Sequence, residues 1–315
     1  MSGRTGSSSG SGPAAAAAPV PRSVDAKRQA LLELRLRDRR PAGPAADAAS
    51  ETAPAEAAPL VTLIPDGERA PLFCVHPSGG SAAPYLPLAE TLGPGRGFHA
   101  LEAPGLYGGR PLADLDALCA RYLDAISVMR PAGPYLLGGW SAGGTIALEL
   151  ARRLRERGQQ VSMLVLIDTR PDPSPGDAGA VLASFAADVA LQHDRPPPRL
   201  DPATLARQDP AGAAAAVAAA LEDTGLVPAG LRAETLRRLE VFLATTSAVG
   251  RYRARRYDGP ATLVTAAETP PALMAGWREL LPDLRHHVVA GTHYSMLRPP
   301  LVGAVADVLR HCLAR

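Results

Sequence analysis

From residue 59 onward, short apolar runs alternate with longer stretches whose apolar residues recur at helical spacing. A short apolar run bounded by turn residues predicts a buried strand, and an i, i+3, i+4 repeat predicts an amphipathic helix. Helical repeats at 115–129 and 145–157 lie between such runs. The runs that predict strands are 72–75, 99–102, 135–137, 163–167, 261–265 and 287–289. Strands that are apolar throughout and alternate with helices are typical of a parallel sheet covered on both faces, so we predict an α/β fold.

One region interrupts this alternation. Residues 171–250 contain helical patterns and a proline-rich joint at 195–199, but no strand pattern. The helical patterns cover 178–191, 211–222 and 233–247. An all-helical insertion of this length after a strand is typical of a lid over a binding site. We therefore predict one domain over 59–315 that carries a helical lid at 171–250.

The first 58 residues have a different composition. Residues 1–22 are rich in Gly, Ser, Ala and Pro, which bury too little apolar surface to offset the entropy of ordering. Residues 23–39 place apolar side chains near one face, which predicts a short amphipathic helix, and residues 40–58 return to a Pro/Ala linker. We expect 1–58 to be a disordered tail whose helix either packs on the domain, stays loose or docks onto a partner enzyme.

Charge and hydropathy narrow the class of protein. Lys and Arg number 33 against 31 Asp and Glu, a formal net charge of +2, which argues against nucleic acid or an anionic membrane as the main partner. No apolar run approaches the ~18 residues of a membrane-spanning helix and no secretion signal is visible, so we expect a cytoplasmic protein. The three cysteines, at positions 74, 119 and 312, form neither a disulfide framework nor a paired zinc motif, and we expect no bound metal.

Candidate chemistry begins with one serine. Residues 139–143 read Gly-Trp-Ser-Ala-Gly and fit the Gly-x-Ser-x-Gly pattern of a nucleophile elbow. The same pattern at 6–10 lies in the low-complexity tail, so the context distinguishes the two. Ser141 follows the predicted strand 135–137 and precedes a predicted helix, whose N-terminal N–H groups stabilise developing negative charge. We predict that Ser141 is a nucleophile.

A serine nucleophile needs a histidine that takes its proton. In the α/β-hydrolase chain order this histidine comes last, in the loop after the final strand. His293 lies just past the predicted strand 287–289 and is our candidate base. The remaining histidines lie before the serine, in the insertion, within a strand or in the last helix: His76, His99, His193, His286, His287 and His311.

Two carboxylates qualify as the third member, which orients the histidine. Asp168 ends the predicted strand 163–167, and Glu268 follows the later strand 261–265. Both would lie at the carboxyl edge of the sheet, where such sites form, so sequence position leaves both open.

An oxyanion hole needs two N–H donors. One is expected from the backbone of Ala142, the residue after the nucleophile. The other is expected from the loop 76–81, which follows the early strand 72–75 and whose two glycines let the backbone approach a tetrahedral oxyanion. We expect His76, at the start of this loop, to have a structural role.

Together these motifs make the chain, from about residue 60 to its end, resemble the thioesterase domains that terminate nonribosomal peptide synthetases and modular polyketide synthases. The residues that carry the resemblance are 71–80, 103–106, 133–144, 166–168, 257–260 and 291–297. The resemblance implies an α/β-hydrolase fold, with the acid at Asp168 rather than Glu268 and the second oxyanion donor at the backbone N–H of Ser78. It also implies that the helical insertion is a mobile lid over a substrate channel.

The resemblance further implies the chemistry. An acyl or peptidyl chain, held as a thioester on the phosphopantetheine arm of a carrier protein or synthetase module, would pass to Ser141 as an ester. Water, or an internal amine or hydroxyl, would then release an acid or a ring. No cofactor bound by the chain itself is implied. The alternatives are an editing thioesterase that clears misprimed carriers and a general serine esterase or lipase, and the oligomeric state stays open.

Overall fold

The computed structural model describes residues 58–174, 176–228 and 230–313. The predicted tail with its short helix at 23–39 lies outside the described residues, residue 58 aside. Within the described ranges the chain forms seven strands and nine α-helices, joined by turns and short 3-10 helices.

The seven strands form one sheet. They are β1 (Leu60–Ile64), β2 (Arg69–Val75), β3 (Arg96–Leu101), β4 (Tyr135–Trp140), β5 (Val161–Ile167), β6 (Ala261–Ala266) and β7 (Leu284–Val289). Their order is β1-β3-β2-β4-β5-β6-β7, with β1 antiparallel to β3 and every other pair parallel. The apolar runs predict β2 to β7 and miss β1, whose alternating burial is that of a half-exposed edge strand.

Helices cover both faces of the sheet, as the sequence pattern predicts. The helices are α1 (Leu86–Leu92), α2 (Leu115–Met129), α3 (Ala142–Glu156), α4 (Ala178–Leu191), α5 (Pro202–Arg207), α6 (Pro210–Asp223), α7 (Arg232–Gly250), α8 (Trp277–Leu280) and α9 (Val302–Leu313). Alternate residues of β2 divide between two cores. Phe73 and Val75 pack with α2 and α3, and Leu72 and Cys74 pack with α1 and α9.

Between β5 and β6 the described residues form four helices, α4 to α7, which bury a core of their own. Phe185 of α4 contacts Phe242 of α7 edge to face, with 5.4 Å between ring centroids. Asp177, Asp201 and Asp209 accept hydrogen bonds from the first backbone N–H groups of α4, α5 and α6. Each of these helices therefore begins directly after the aspartate that caps it.

None of the helices in the described part of the chain has both the length and the apolar character that a membrane crossing requires. The three cysteines are free thiols, and Cys74 and Cys119 are buried. Burial raises the pKa of the Cys119 thiol to about 12 and that of Cys74 further, so both stay protonated and act as packing residues.

Candidate active site

The turn between β4 and α3 presents Ser141 at the carboxyl edge of the sheet. Ser141 has φ 58° and ψ −126°, an uncommon backbone conformation for a residue with a side chain, and such strain costs about 1–3 kcal/mol. Its N–H donates to the carbonyl oxygen of Ile167 at 2.9 Å, which fixes the turn to the end of β5. The strained position of the serine is therefore held by the neighbouring strand.

Glycines make this turn and its contact with the sheet. A Cβ atom on Gly139 would overlap the backbone of Gly143, and a Cβ on Gly143 would overlap the carbonyl of Val75 in β2. A Cβ on Gly144 would overlap the side chain of Thr169. Helix α3 therefore begins closer to the sheet than any side chain at these positions would allow.

Asp168 follows β5 directly and is buried. Its Oδ1 atom accepts the backbone N–H of Ala266 at 3.0 Å, and Oδ2 accepts the hydroxyl of Thr269 at 2.8 Å. Oδ2 also lies 2.7 Å from Nδ1 of His293. Burial by itself would raise the pKa of Asp168, but these hydrogen bonds outweigh it and hold the pKa below its ordinary value. The carboxylate is therefore ionised and fully hydrogen-bonded at neutral pH.

His293 lies in the loop between β7 and α9 and is half-buried. Because ionised Asp168 can only accept, Nδ1 of His293 carries the proton of their hydrogen bond and Nε2 is left as the basic nitrogen. The indole ring of Trp140 packs against the imidazole, with 4.9 Å between centroids. In the described residues no hydrogen bond joins the hydroxyl of Ser141 to His293, although both line one cavity of about 650 Å³.

The structure separates the two candidate acids that sequence position leaves open. Asp168 contacts His293, whereas Glu268 is exposed at the cavity rim, where its backbone N–H donates to the carbonyl of Gly291 at 3.2 Å. The structure thus brings Asp168 to the histidine, and it leaves Glu268 with no ion pair to that ring among the described residues.

The loop after β2 is held on both sides of its turn. The N–H of Gly80 donates to the carbonyl of Pro77 at 2.9 Å, and the carbonyl of Gly80 accepts the N–H of Ala103 at 2.8 Å. Gly80 has φ +79°, and a Cβ there would overlap Val241 of α7, so glycine is required where the insertion contacts this loop. Ser78, between these contacts, lines the cavity.

His76 anchors the start of this loop from inside the domain. Its Nδ1 lies 2.7 Å from the carbonyl oxygen of Pro77, and its Nε2 lies 2.6 Å from the hydroxyl of Tyr122. Burial lowers the pKa of His76 to about 4, so the ring is neutral at physiological pH, donating from Nδ1 and accepting at Nε2. This environment matches the structural role expected from the sequence.

The structure places both predicted oxyanion donors, the backbone N–H groups of Ala142 and Ser78, at the cavity. Ala142 is the first residue of α3, so its N–H has no acceptor one turn earlier in the helix. Within the described ranges, neither this N–H nor that of Ser78 donates to a backbone carbonyl, and both residues line the cavity. Both groups are therefore able to bind a ligand oxygen.

Sequence reasoning missed two side chains that shape the site. Trp140 supports the imidazole of His293, and Thr269 donates to the carboxylate of Asp168. The tryptophan occupies the variable position of the elbow motif, next to the serine, so the motif itself indicates that this side chain lies near the site. Thr269 is one threonine in a loop and gives no signal without its neighbours.

A bidentate ion pair joins the insertion to the segment after His293. The guanidinium of Arg298 contacts both carboxylate oxygens of Asp194, at 2.5 and 2.6 Å, and also lies 3.3 Å from the carbonyl of Gln192. Asp194 follows α4, so this pair, which we name the Arg298–Asp194 latch, fastens the first helix of the insertion beside the histidine loop.

A mostly parallel sheet between two helical layers, with a strained serine after β4 and a histidine after the last strand, defines the α/β-hydrolase fold class. Residues 70–313 match the family model of the Thioesterase domain. The chain therefore belongs to the thioesterase domain family. Among the described residues no three His, Cys, Asp or Glu side chains are grouped so as to hold a metal ion.

Curated relatives of the chain are large synthetases. The dimodular nonribosomal peptide synthase of Bacillus subtilis (strain 168) is 36% identical over 134 residues, which are 40% of this chain and 6% of that protein. Enterobactin synthase component F of Escherichia coli (strain K12) is 39% identical over 113 residues, 35% of this chain and 9% of that protein. The chain thus spans less than a tenth of the length of either relative.

Solved structures give a longer alignment. A four-domain nonribosomal peptide synthetase bound to AMP and glycine aligns with a TM-score of 0.72 and 28% identity, over 81% of this chain and 20% of that one. The NocB thioesterase domain in covalent complex with a fluorophosphonate nocardicin G analog aligns with a TM-score of 0.62 and 27% identity, over 81% of this chain and 100% of that domain. These similarities confirm the predicted fold class.

Proposed function

We propose that the chain is a serine thioesterase that releases an acyl or peptidyl chain from the phosphopantetheine arm of a carrier protein or synthetase module, in nonribosomal peptide or polyketide biosynthesis. Family membership supports a thioester substrate, and similarity to nonribosomal peptide synthetases supports a carrier as the partner. The observation that carries the proposal is one cavity onto which a strained serine and a carboxylate-bound histidine both open.

The first half of the reaction forms an acyl-enzyme. The hydroxyl oxygen of Ser141 attacks the thioester carbonyl while Nε2 of His293 takes the hydroxyl proton. Ionised Asp168 stabilises the imidazolium that forms. The N–H groups of Ala142 and Ser78 donate to the oxyanion, and each such donor is typically worth about 3–4 kcal/mol. Collapse breaks the carbon–sulfur bond, and the departing pantetheine thiol takes its proton from His293.

The second half releases the chain. His293, neutral again, takes a proton from water or from an internal amine or hydroxyl, which attacks the ester carbonyl of acylated Ser141. Collapse returns the proton to the serine oxygen and frees an acid or a ring. In both halves of the reaction, side chains and backbone N–H groups of the chain itself transfer each proton and stabilise each charge. The proposal therefore assigns the chain no bound cofactor.

Intact-protein mass spectrometry tests the covalent step. The wild-type protein, mixed with an acyl-loaded carrier, should gain the mass of the acyl group, and peptide mapping should locate it on Ser141. Ser141→Ala should lose both the adduct and turnover. Ser184→Ala, which removes another hydroxyl that lines the cavity, should keep both. An adduct that persists in Ser141→Ala would contradict the assignment.

The comparison of carrier-bound with free substrates tests the partner. A kcat/KM at least about tenfold higher for an acyl-carrier protein than for the same free thioester, about 1.4 kcal/mol of added transition-state stabilisation, would support the carrier. A preference for the free ester would favour a general esterase instead. Product masses from the carrier-bound substrate then distinguish hydrolysis from ring closure.

A further inference from the structure

A carboxylate of the helical insertion faces the same cavity and takes no part in the mechanism above. Asp188 lies near the C-terminal end of α4 and lines the cavity together with Ser141 and His293. Its Oδ2 atom is 3.8 Å from the place that a Cβ on Gly79 would occupy, and Gly79 is the neighbour of Ser78. The carboxylate therefore lies beside the loop that we propose binds the oxyanion.

The fold offsets the charge of Asp188 only in part. Its side chain accepts hydrogen bonds from the Tyr294 hydroxyl and from Nε2 of Gln192, the latter at 2.6 Å. Both donors are neutral. Arg238 and His293 act on Asp188 through space, but neither forms an ion pair with it among the described residues. By contrast, Asp177 and Asp201 in the same insertion cap helices. Asp188 thus has no structural role of that kind.

Burial makes this charge costly. It raises the pKa of Asp188 to about 6, even though the charges of His293 and Arg238 and the hydrogen bonds from Tyr294 and Gln192 oppose the rise. The carboxylate is therefore mostly ionised at neutral pH but is incompletely solvated. A cation placed against the carboxylate of Asp188 would offset the lost solvation and add a charged partner to its two neutral hydrogen-bond donors.

The other charged residues that line the cavity also favour a cationic group in the substrate. Apart from the hydrogen-bonded Asp168 and His293, the charged lining residues are Asp188, Glu268 and Arg170. Two carboxylates against one guanidinium leave the cavity negative. Glu268 and Arg170 are exposed at the rim, whereas Asp188 is partly buried, so Asp188 is the charge that an acyl chain meets inside.

We propose that Asp188 selects acyl chains that carry a protonated amine close to the thioester carbonyl, and that it does so by forming an ion pair with that amine. This inference rests on the proposed function, because it assigns the substrate class of the same site. An aminoacyl chain with its ammonium on the α or β carbon fits this arrangement. A neutral chain of equal size would cover Asp188 and leave its charge without a partner.

Matched substrates isolate the charge. A glycyl and a propanoyl group differ only in an ammonium that replaces a methyl group, and so do a β-alanyl and a butanoyl group. The four pantetheine thioesters are assayed for kcat/KM at pH 7 with wild type, Asp188→Asn and Asp188→Glu. Asp172→Asn is the control, because Asp172 is an exposed acid that does not line the cavity.

Wild type should prefer each amine-bearing substrate over its neutral partner by at least about tenfold, the range expected of a charge-assisted hydrogen bond. Asp188→Asn should abolish this preference, Asp188→Glu should keep part of it, and Asp172→Asn should keep all of it. The wild-type ratio should also fall as the pH is lowered through 6, because Asp188 then takes up a proton and loses its charge.

Equal kcat/KM within each pair for wild type, or a preference that survives Asp188→Asn, would overturn the proposal. So would a uniform loss of rate on all four substrates in Asp188→Asn, because it would assign Asp188 to the positioning of His293. Thermal denaturation checks that Asp188→Asn folds. If it does not, Asp188→Glu and the wild-type pH series decide the question.

A binding measurement separates this proposal from the proposed function. Amide analogues of the four thioesters are titrated into Ser141→Ala by calorimetry. Tighter binding of the two amine-bearing analogues, together with no turnover of any thioester by wild type, would contradict the thioesterase and uphold the role of Asp188. Equal binding of amine-bearing and neutral analogues would overturn the role of Asp188, whatever the turnover.

Discussion

The buried imidazole of His76 makes the stability of the protein depend on pH in a way that can be calculated. His76 is fully buried behind the loop that carries Ser78, between the carbonyl of Pro77 and the hydroxyl of Tyr122. Burial lowers the pKa of His76 from 6.5 to about 4. Folding therefore requires this ring to stay neutral under conditions in which it would bind a proton in the unfolded chain.

The sign follows from which state binds the proton. Between pH 6.5 and about 4 the unfolded chain binds a proton at residue 76 and the folded protein does not, so the free energy of unfolding falls as the pH falls through this interval. Above pH 6.5 the ring is neutral in both states and contributes no pH dependence. A pKa difference of about 2.5 corresponds to about 3 kcal/mol, reached when the pH is near the folded pKa.

Urea denaturation at a series of pH values measures this effect. Relative to wild type, His76→Gln should be less stable above pH 6.5, because the glutamine replaces the two ring hydrogen bonds imperfectly. The difference should shrink by about 3 kcal/mol as the pH falls to 4, since only wild type loses the histidine term. Carboxylates that titrate in the same range act equally on both proteins and cancel.

His193→Gln is the control, because it makes the same substitution at an exposed histidine that follows α4 and should not reproduce the effect of His76→Gln. Parallel profiles of wild type and His76→Gln between pH 6.5 and 4 would contradict this prediction. Parallel profiles would show that the folded protein accepts a proton on His76 without penalty.

Three further changes test the site and its supports. Asp168→Asn removes the acceptor that orients the histidine and should lower kcat by about 10⁴-fold, whereas Glu268→Gln should retain nearly full activity on the same carrier-bound substrate; the reverse order would contradict the acid assignment. Gly143→Ala drives a Cβ into the carbonyl of Val75 in β2 and should destabilise the fold by at least about 1–3 kcal/mol, seen as a lower Tm. Gly303→Ala is the control and should not lower the Tm, because a Cβ at that position in α9 meets open space. Equal Tm values for the two variants would contradict the packing described at Gly143. Arg298→Ala removes the latch and should speed limited proteolysis of the joint that follows α4, and high salt should have the same effect on wild type. An unchanged cleavage rate would show that the latch does not hold the insertion.

The position of the serine could be predicted because its determinants are local. Residues 139–143 combine the end of a buried strand, two glycines and the first turn of a helix in one short segment. The structure has β4, the strained Ser141 and α3 in that order. His293 could be located in the same way, because it is the histidine that follows the last apolar run within a loop. Strand β1 was missed because an edge strand needs only alternate apolar residues.

The choice between the two acids and the position of Asp188 depend on contacts between distant segments of the chain. Asp168 and Glu268 follow adjacent parallel strands, so both reach the same edge of the sheet and chain position cannot separate them. The direction of the side chains separates them: Asp168, at φ 44°, points to Ala266 and His293, while Glu268 is exposed. Asp188 is the one charged residue in α4, whose other residues are mostly apolar, and only the folded chain shows that it faces the cavity.

The four helices between β5 and β6 bury residues such as Leu182, Val217 and Leu239 against one another and not against the sheet. Most of this core is separate from the cores of the sheet, which α7 joins near its C-terminal end through Ala248 and Val249. Sequence changes within it, or its replacement by a different helical unit, therefore leave most of the packing of the sheet in place. Residues of the insertion that line the cavity can therefore change during evolution, and alter which products form, without any change at Ser141 and His293. The same independence makes this segment a natural point of exchange for chimeric enzymes.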